Sequence, residues 1–284
     1  MKKILVTGGA GFIGSHLVRA LRALGHDVEI LDIIHDPRND IRNLEWIRSK
    51  FDGIQYVFHL AALTSVQLSI EQPVETNLTN LGGTLNVLIA AKNAEVRRII
   101  FSSSAAVYGE QERLPVHEDA KTYPMSPYAI QKFGSEEYLK LFSKIYNLET
   151  VSLRYFNVYG SGQNPSGPYA SVIPKFIEQR KHKKPLTIIG DGLSTRDFVN
   201  VSDVVSANIL AMESNKVGKG EVVNIASGMS TSANQVAELI GGPIEHLPQR
   251  LEIKDSVADI SLASKLLDWS PKVGLESGIK ELLK

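Results

Sequence analysis

The chain has 284 residues, 31 Lys plus Arg balanced by 31 Asp plus Glu, 43% hydrophobic residues and no cysteine. That length allows one large domain or two modest ones, and zero formal net charge offers no electrostatic footprint for nucleic acid. Without cysteine there is no disulfide, thiolate metal site or cysteine nucleophile, and no apolar run approaches membrane-spanning length, so a cytoplasmic protein with no membrane partner is expected.

Ile4-Leu5-Val6 is a short apolar run of the buried-strand kind, and Thr7-Gly8-Gly9-Ala10-Gly11-Phe12-Ile13-Gly14 follows it directly. Ser15 to Leu21 then reads at helical period, and a second apolar run, Val28 to Leu31, ends on Asp32. Strand, glycine turn, helix, strand and acid form the order of a dinucleotide-binding unit. Gly8 suits the tight turn, Gly11 the approach of backbone to a pyrophosphate, and Gly14 the close seating of helix on strand. The free N–H groups at the helix start favour phosphate. Asp32 is placed to accept from an adenosine ribose and to repel a 2′-phosphate, which favours NAD over NADP.

Ile33 to Asn43 follows, with Pro37 and several charges, then a helix-like Leu44 to Phe51. A doubly wound sheet usually has a third strand here; there is hardly room for one, and Asp40-Ile41 is its expected remnant. Tyr56 to Ala62 reads as a buried strand ending in small residues that leave space for a cofactor. Thr76 to Ala91 is expected as one helix despite Gly82-Gly83, a site of close packing or weakness. The strand Arg98 to Phe101 runs into Ser102-Ser103-Ser104, and Ser126-Pro127 opens a long helix to about Tyr146. Thr150 to Arg154 is another strand. The loop Gly160 to Pro168 marks a boundary. Beyond it come a helix near Ile173 to Lys181, strands at Leu186 to Ile189 and Phe198 to Val201, a helix from Asp203 to Met212, a strand at Glu221 to Ile225 and a helix at Ser232 to Ile240. This alternation predicts an α/β protein with a parallel, doubly wound sheet and a smaller lobe. Residues 1–157 read as the dinucleotide-binding domain, with a return near 196–226, and 158–284 as mainly the substrate-binding lobe.

Tyr128 and Lys132 are four apart on the helix opened by Ser126-Pro127 and share one face. A phenol with an ordinary pKa of about 10 needs about 4 kcal/mol of help to ionise near neutrality. The Lys132 ammonium, the helix N-terminus and an oxidised nicotinamide ring are the expected sources, making Tyr128 a general base toward a sugar hydroxyl. Taken alone, such a pair also fits an exposed helix face; behind a nucleotide-binding unit it reads as catalytic. Ser104, just past a strand's carboxyl end, can bind the same hydroxyl. The seven histidines are scattered with no His-x-x-x-His pair, so no metal site is expected.

Together these segments resemble the nucleotide-sugar epimerase/dehydratase group of extended short-chain dehydrogenases/reductases, and most of all its UDP-hexose 4-epimerases. The resemblance runs nearly end to end: Thr7 to Gly14 for the cofactor motif, Tyr128-Ala129-Ile130-Gln131-Lys132 for Tyr-x-x-x-Lys, and Phe101 to Gly109 for the epimerase serine segment. Arg154-Tyr155-Phe156-Asn157-Val158-Tyr159-Gly160, Gly190-Asp191-Gly192 through Phe198, and Asp268-Trp269-Ser270-Pro271 complete it. It implies a Rossmann sheet, bound NAD, a UDP-sugar substrate and a homodimer built on two helices per subunit, about Thr76–Ala91 and Pro127–Tyr146. It further implies that Phe12, Ile13, Asp40, Ile41, Leu60, Ala61, Ala62, Asn80, Ser102 and Tyr155 line the cofactor site beside Gly8, Gly11, Gly14, Asp32, Tyr128 and Lys132. Asn157, Val172, Arg196 and Arg250 would join Ser104 and Tyr128 on the UDP-sugar, with Arg196 at the diphosphate.

Dehydratases of this group carry an Asp-Glu pair after the serine stretch, and UDP-glucuronate decarboxylases a Glu; here stand Ala105 and Ala106, which argues for epimerisation alone. The implied reaction is inversion at C4 through a transient 4-keto sugar, with Tyr128 and Ser104 moving the proton and NAD regenerated in each cycle. UDP-glucose/UDP-galactose is the expected pair; N-acetylated hexosamines or a uronate are the alternatives, with Asn157 tilting against the uronate. A nucleotide-sugar reductase or dehydratase and a non-catalytic NAD-sensing protein are the remaining rivals. Two departures stand out. The Asp32–Asp40 stretch is short, and Leu251-Glu252-Ile253 replaces the usual Pro-Gly-Asp, with Glu252 expected in place of the ribose-binding acid.

Overall fold

The structure, a computed structural model, describes residues 1–165, 171–249 and 254–284. Eleven strands are named in chain order: β1 (Lys3–Thr7), β2 (Asp27–Leu31), β3 (Tyr56–His59), β4 (Arg98–Ser104), β5 (Glu149–Tyr155), β6 (Asn157–Tyr159), β7 (Leu186–Ile189), β8 (Thr195–Asn200), β9 (Lys219–Ile225), β10 (Ser230–Ser232) and β11 (Ile244–Leu247). Six of them form one sheet in the order β2-β1-β3-β4-β5-β9, and every pairing in it is parallel.

Parallel strands need crossovers, and the helices that supply them cover both faces of this sheet. The pleat then sorts the side chains. Ile4 and Val6 of β1, Tyr56 and Phe58 of β3, and Val151 and Leu153 of β5 point to one face. There they meet Leu17, Val18 and Leu21 of the Phe12–Ala23 helix and Val204, Ala207 and Ala211 of the Val201–Glu213 helix. Leu5, Val57, Ile99 and Phe101 alternate to the other face, against Val87, Leu88 and Ala91 of the Gly83–Asn93 helix and Leu139 and Phe142 of the Pro127–Tyr146 helix. This double burial is why the strands read as continuous apolar runs.

Two expectations need correction. Between β2 and β3 there is no third strand, as the short stretch implied, but Asp40-Ile41 is not a strand remnant either: the chain makes turns, a one-turn helix at Leu44–Ile47 and a 3-10 turn at Arg48–Phe51. Asp40 is held there by its neighbour Arg42, and β2 is the sheet's edge. Nor is Thr76 to Ala91 one regular helix. A helix at Pro73–Asn77 passes through a π-turn at Leu78–Gly82 into the Gly83–Asn93 helix. Gly83 is where Ile41 lies against the helix, and a Cβ there would stand 2.5 Å from the Ile41 side chain.

The smaller lobe holds a three-stranded sheet, β10-β8-β6, and a two-stranded parallel pair, β11-β7. Its core joins Ile173, Phe176 and Ile177 of the Val172–Lys181 helix to Leu186, Ile188, Phe198, Val236 and Ile240. The chain returns to the large sheet through the Val201–Glu213 helix and β9, while β8 stays in the small sheet. The late segment is pinned to that helix: the Trp269 indole N–H donates to the Asp203 carbonyl at 3.0 Å, and the Asp203 carboxylate accepts from the Lys272 and Val273 amides. Among the described residues no helix is long and apolar enough to cross a membrane.

Candidate active site

β2 and β3 flank β1 on opposite sides, so the connections leaving β1 and β3 part and open a crevice at the carboxyl ends of the strands. A cavity of about 620 Å³ lies there. Gly8 takes φ +70°, and a Cβ on it would come within 2.6 Å of the Ala61 amide nitrogen; a Cβ on Gly14 would reach 2.2 Å from the Gly8 carbonyl oxygen. Only glycine lets these backbone segments approach so closely. The Phe12–Ala23 helix starts at Gly11 with no side-chain cap, so its first N–H groups face the cavity unspent. Asp32 is buried and fixed, accepting at 2.9 Å from both the Ala10 and Ile34 amides. This glycine cradle, an uncapped helix start and an anchored carboxylate at the end of β2 fit the pyrophosphate and ribose of NAD.

The rim behind the cradle is held by a neutral histidine. His59 contacts Thr7 Oγ1 at 2.7 Å through Nδ1 and Thr84 Oγ1 at 2.9 Å through Nε2, and burial pushes its pKa down to about 3. Thr7 Oγ1 in turn accepts from the Ala61 amide at 3.2 Å, tying the ends of β1 and β3 together.

At the other end of the cavity the long helix presents its chemistry. Ser126 caps it by accepting from the Ala129 amide, with Pro127 in its first turn. Tyr128 and Lys132, one turn apart, are both buried against the end of β4. The Tyr128 hydroxyl faces the Ser104 side chain, which favours its ionised form. Lys132 Nζ donates to the Ser102 carbonyl at 2.8 Å and sits 4.7 Å from the centre of the Phe101 ring and 5.8 Å from that of Tyr128. Ser102 Oγ donates to the Tyr155 hydroxyl at 3.1 Å, which Asn208 also engages. Burial pushes Tyr155 up to about 12 and keeps it neutral.

Burial dominates Tyr128 and Lys132 as well. Tyr128 is pushed up to about 12, opposed by Ser104, and Lys132 is lowered to about 8, opposed by Glu136. The chain alone therefore does not depress the Tyr128 pKa as the sequence suggested. Desolvation of the phenolate outweighs an ammonium that is 5.8 Å away and bonded to a carbonyl.

The cavity brings together Gly8, Gly11, Phe12, Ile13, Gly14, Asp32, Asp40, Ile41, Leu60, Ala61, Ala62, Ser102, Ser104, Tyr128, Lys132 and Tyr155. Asn80 is not on its wall. It lies buried behind, where it exchanges hydrogen bonds with the Leu63 backbone at 2.8 and 2.9 Å and donates to Gln131, so it braces the wall. Asn157, Val172 and Arg196 are not on its wall either, although Phe156 and Val158, on either side of Asn157, are. Asn157 donates to the Asp197 carbonyl, Arg196 to the Thr195 and Lys254 carbonyls, and Val172 packs on the lobe's core. Arg250 and Glu252 lie outside the described residues. Sequence reasoning missed Arg42, Glu75, Thr79 and Gln163 on the wall. Arg42 grips the Asp40 carboxylate at 2.6 to 3.0 Å, also reaches Glu75, and holds the Asp40 carboxyl below the usual range. Only the Asp-x-Arg spacing could have hinted at it. Among the described residues no cluster of His, Asp and Glu could hold a metal ion.

Known proteins share this architecture along their whole length. A UDP-N-acetylglucosamine 4-epimerase from Methanobrevibacter ruminantium M1, solved with UDP-N-acetylmuramic acid, is 37% identical, with a TM-score of 0.92 over 99% of this chain and 98% of its own. A UDP-glucose 4-epimerase from Thermotoga maritima, solved with UDP-glucose, is 38% identical, with a TM-score of 0.90 over 98% and 96%. A UDP-glucuronic acid 4-epimerase variant from Bacillus cereus, in complex with a fluorinated UDP-glucuronic acid and NAD, is 32% identical, with a TM-score of 0.86 over 99% of each chain. The model of the NAD dependent epimerase/dehydratase family matches residues 4–226, and with the cradle, the acid and the buried tyrosine–lysine pair in one cavity, the chain belongs to that family of NAD-dependent enzymes.

Proposed function

We propose that the enzyme inverts C4 of a UDP-hexose, interconverting UDP-glucose and UDP-galactose. The observation that carries this reading is the pairing of Tyr128 with Ser104, followed directly by Ala105 and Ala106 in a 3-10 turn. Among the described residues the reacting end thus offers one acid–base pair and no carboxylate directly after Ser104 for a second proton abstraction, as water loss or decarboxylation would require.

In this reading Ser104 orients the sugar 4-hydroxyl, and ionised Tyr128 accepts its proton and later returns it to the same oxygen. Lys132 holds positive charge beside the phenol from its seat on Ser102. Gly8, Gly11 and the helix start at Phe12 would hold the NAD pyrophosphate, and Asp32 its ribose. The chemistry that bound NAD would supply is reversible uptake of a hydride, the C4 hydrogen with its bonding electron pair, together with a positive ring that helps ionise the tyrosine. Between the two halves the 4-keto sugar must present its other face, anchored by its diphosphate, for which Arg196 and Arg250 are the proposed partners.

A UDP-N-acetylhexosamine is the second reading, favoured by the Methanobrevibacter relative at 37% identity. The assembly is proposed to be a cytoplasmic homodimer. Val74, Leu78, Ile130 and Ile145 are exposed on the Pro73–Asn77, Leu78–Gly82 and Pro127–Tyr146 helices, an apolar surface suited to a second copy.

The test is incubation of purified protein with UDP-galactose and no added cofactor, with separation of the products. UDP-glucose forming without accumulation of NADH supports the proposal. Conversion of UDP-N-acetylhexosamines alone moves the substrate, stoichiometric NADH turns the enzyme into a dehydrogenase, and silence with every UDP-sugar overturns the reading.

A further inference from the structure

Tyr128, Lys132 and Glu136 occupy successive turns of one helix, and all three are buried. They meet three consecutive serines at the end of β4. Tyr128 faces Ser104, Lys132 bonds the Ser102 carbonyl, and Ser103 Oγ donates to Glu136 Oε1. Glu136 has no part in the proposed proton transfer, yet it is fully enclosed. Its carboxylate is gripped by Arg154, the residue level with Ser103 on β5: Nε donates to Oε1 at 2.9 Å and Nη2 to Oε2 at 2.6 Å. Arg154 also lies 4.5 Å from the centre of the Tyr108 ring and reaches the Glu118 carbonyl.

A buried ion pair is a poor stabilising device, because desolvation offsets most of its attraction and apolar replacements are often neutral or better. Its value here is geometric. The Ser102 carbonyl that meets Lys132 and the Cα that carries the Ser104 hydroxyl flank Ser103, so fixing Ser103 restrains both. We propose that Glu136, clamped by Arg154, is a positioning residue that holds Ser103, and through it the Ser102 carbonyl and the Ser104 hydroxyl, in register with Lys132 and Tyr128.

The same carboxylate bears on the charge of Lys132. On its own helix the ammonium faces Tyr128 and Glu136; from β3 it faces His59, which is neutral, and from β4 the Phe101 ring and the Ser102 carbonyl. Beyond Glu136 stand Arg154 and then Tyr108 and Glu118, whose own pKa values burial raises. Burial lowers the proton affinity of Lys132, and Glu136 opposes that fall.

The inference rests on the proposed epimerisation, and its test separates the two. The Glu136→Met/Arg154→Met double variant replaces the pair by apolar side chains, and Glu136→Gln removes the charge alone. The double variant is expected to fold with an unchanged thermal midpoint while kcat falls about ten-fold or more at unchanged KM. Glu136→Gln is expected to move the alkaline limb of kcat, and the NMR titration of Lys132, to lower pH. A double variant that folds and keeps the parent kcat overturns the proposal, as does an unmoved Lys132 titration in Glu136→Gln. Should the double variant not fold, Ser103→Ala decides: a loss of kcat at unchanged midpoint supports the inference, and parental kcat overturns it. If the parent turns over no UDP-sugar, the functional reading fails, while the Lys132 titration still tests the role of Glu136.

Discussion

Lys132 spends a hydrogen bond on the carbonyl oxygen of Ser102, 2.8 Å away, instead of reaching for the hydroxyl of Tyr128. The ammonium is therefore fixed by strand backbone, and in the proposed mechanism it would act on the tyrosine only through space. Its charge matters more than its donors, and that charge is titratable.

Burial lowers Lys132 to about 8, whereas the unfolded chain holds this proton up to about pH 10.4. Turnover should decline as pH rises through about 8, where the folded enzyme loses the charge. Between those two values the unfolded state binds more protons than the folded one, so this group makes stability rise with pH across the window in which activity is lost. Rate profiles and urea midpoints measured on the same samples check the opposed trends, and Lys132→Met should remove the stability trend.

Replacing Tyr128 with Phe removes the phenol and keeps the ring. Turnover should drop by about 10²–10⁴-fold, the usual worth of a general base, with NAD content and UDP-sugar affinity close to the parent. Product separation and equilibrium binding decide it; normal turnover would end the assignment of Tyr128.

His59 is neutral in the fold, its pKa pushed down to about 3 against an ordinary 6.5. As pH falls below that ordinary value the unfolded chain gains a proton that the folded chain refuses, so stability is lost on the acid side. His59→Gln should flatten the fall in denaturant midpoint between neutrality and about pH 5. An equally steep fall in the variant would assign the acid sensitivity to other groups.

Arg98 is a structural keystone of the large sheet. From β4 its guanidinium donates to the Ala211, Met212, Ser214 and Val217 carbonyls at 2.7 to 3.1 Å and pairs with Glu149. Arg98→Met strands these acceptors at the end of the Val201–Glu213 helix and should cost about 3–5 kcal/mol, read from denaturant unfolding. Lysine should not restore it, since one ammonium cannot span the fork.

What the sequence revealed depended on distance along the chain. The glycine turn, Asp32 and the Tyr128–Lys132 pair were legible because each is a local spacing on a strand end or a helix face. The turn that stands in place of a strand remnant at Asp40-Ile41 and the π-turn at Leu78–Gly82 were not, because there Ile41 packs on Gly83, a contact between residues far apart in sequence. Arg42 with Glu75 escaped notice because the two meet only in the fold, at its exposed surface, and Glu136 with Arg154 because charged residues at those positions read as solvent-facing until the fold encloses them. Three-residue strands such as β6 and β10 carry too little pattern to be seen at all.

The position of β9 in the chain has a consequence for synthesis. β5 pairs with β4 as soon as both exist, but its other edge waits for β9, which emerges only after β6, β7, β8 and the Val201–Glu213 helix have been made. Through that interval the growing polypeptide carries an open strand edge beside unfinished apolar surface, the kind of template on which aggregation begins. A chaperone that shields nascent strands would act on this protein in that interval, and slowing translation between β5 and β9 would lengthen it.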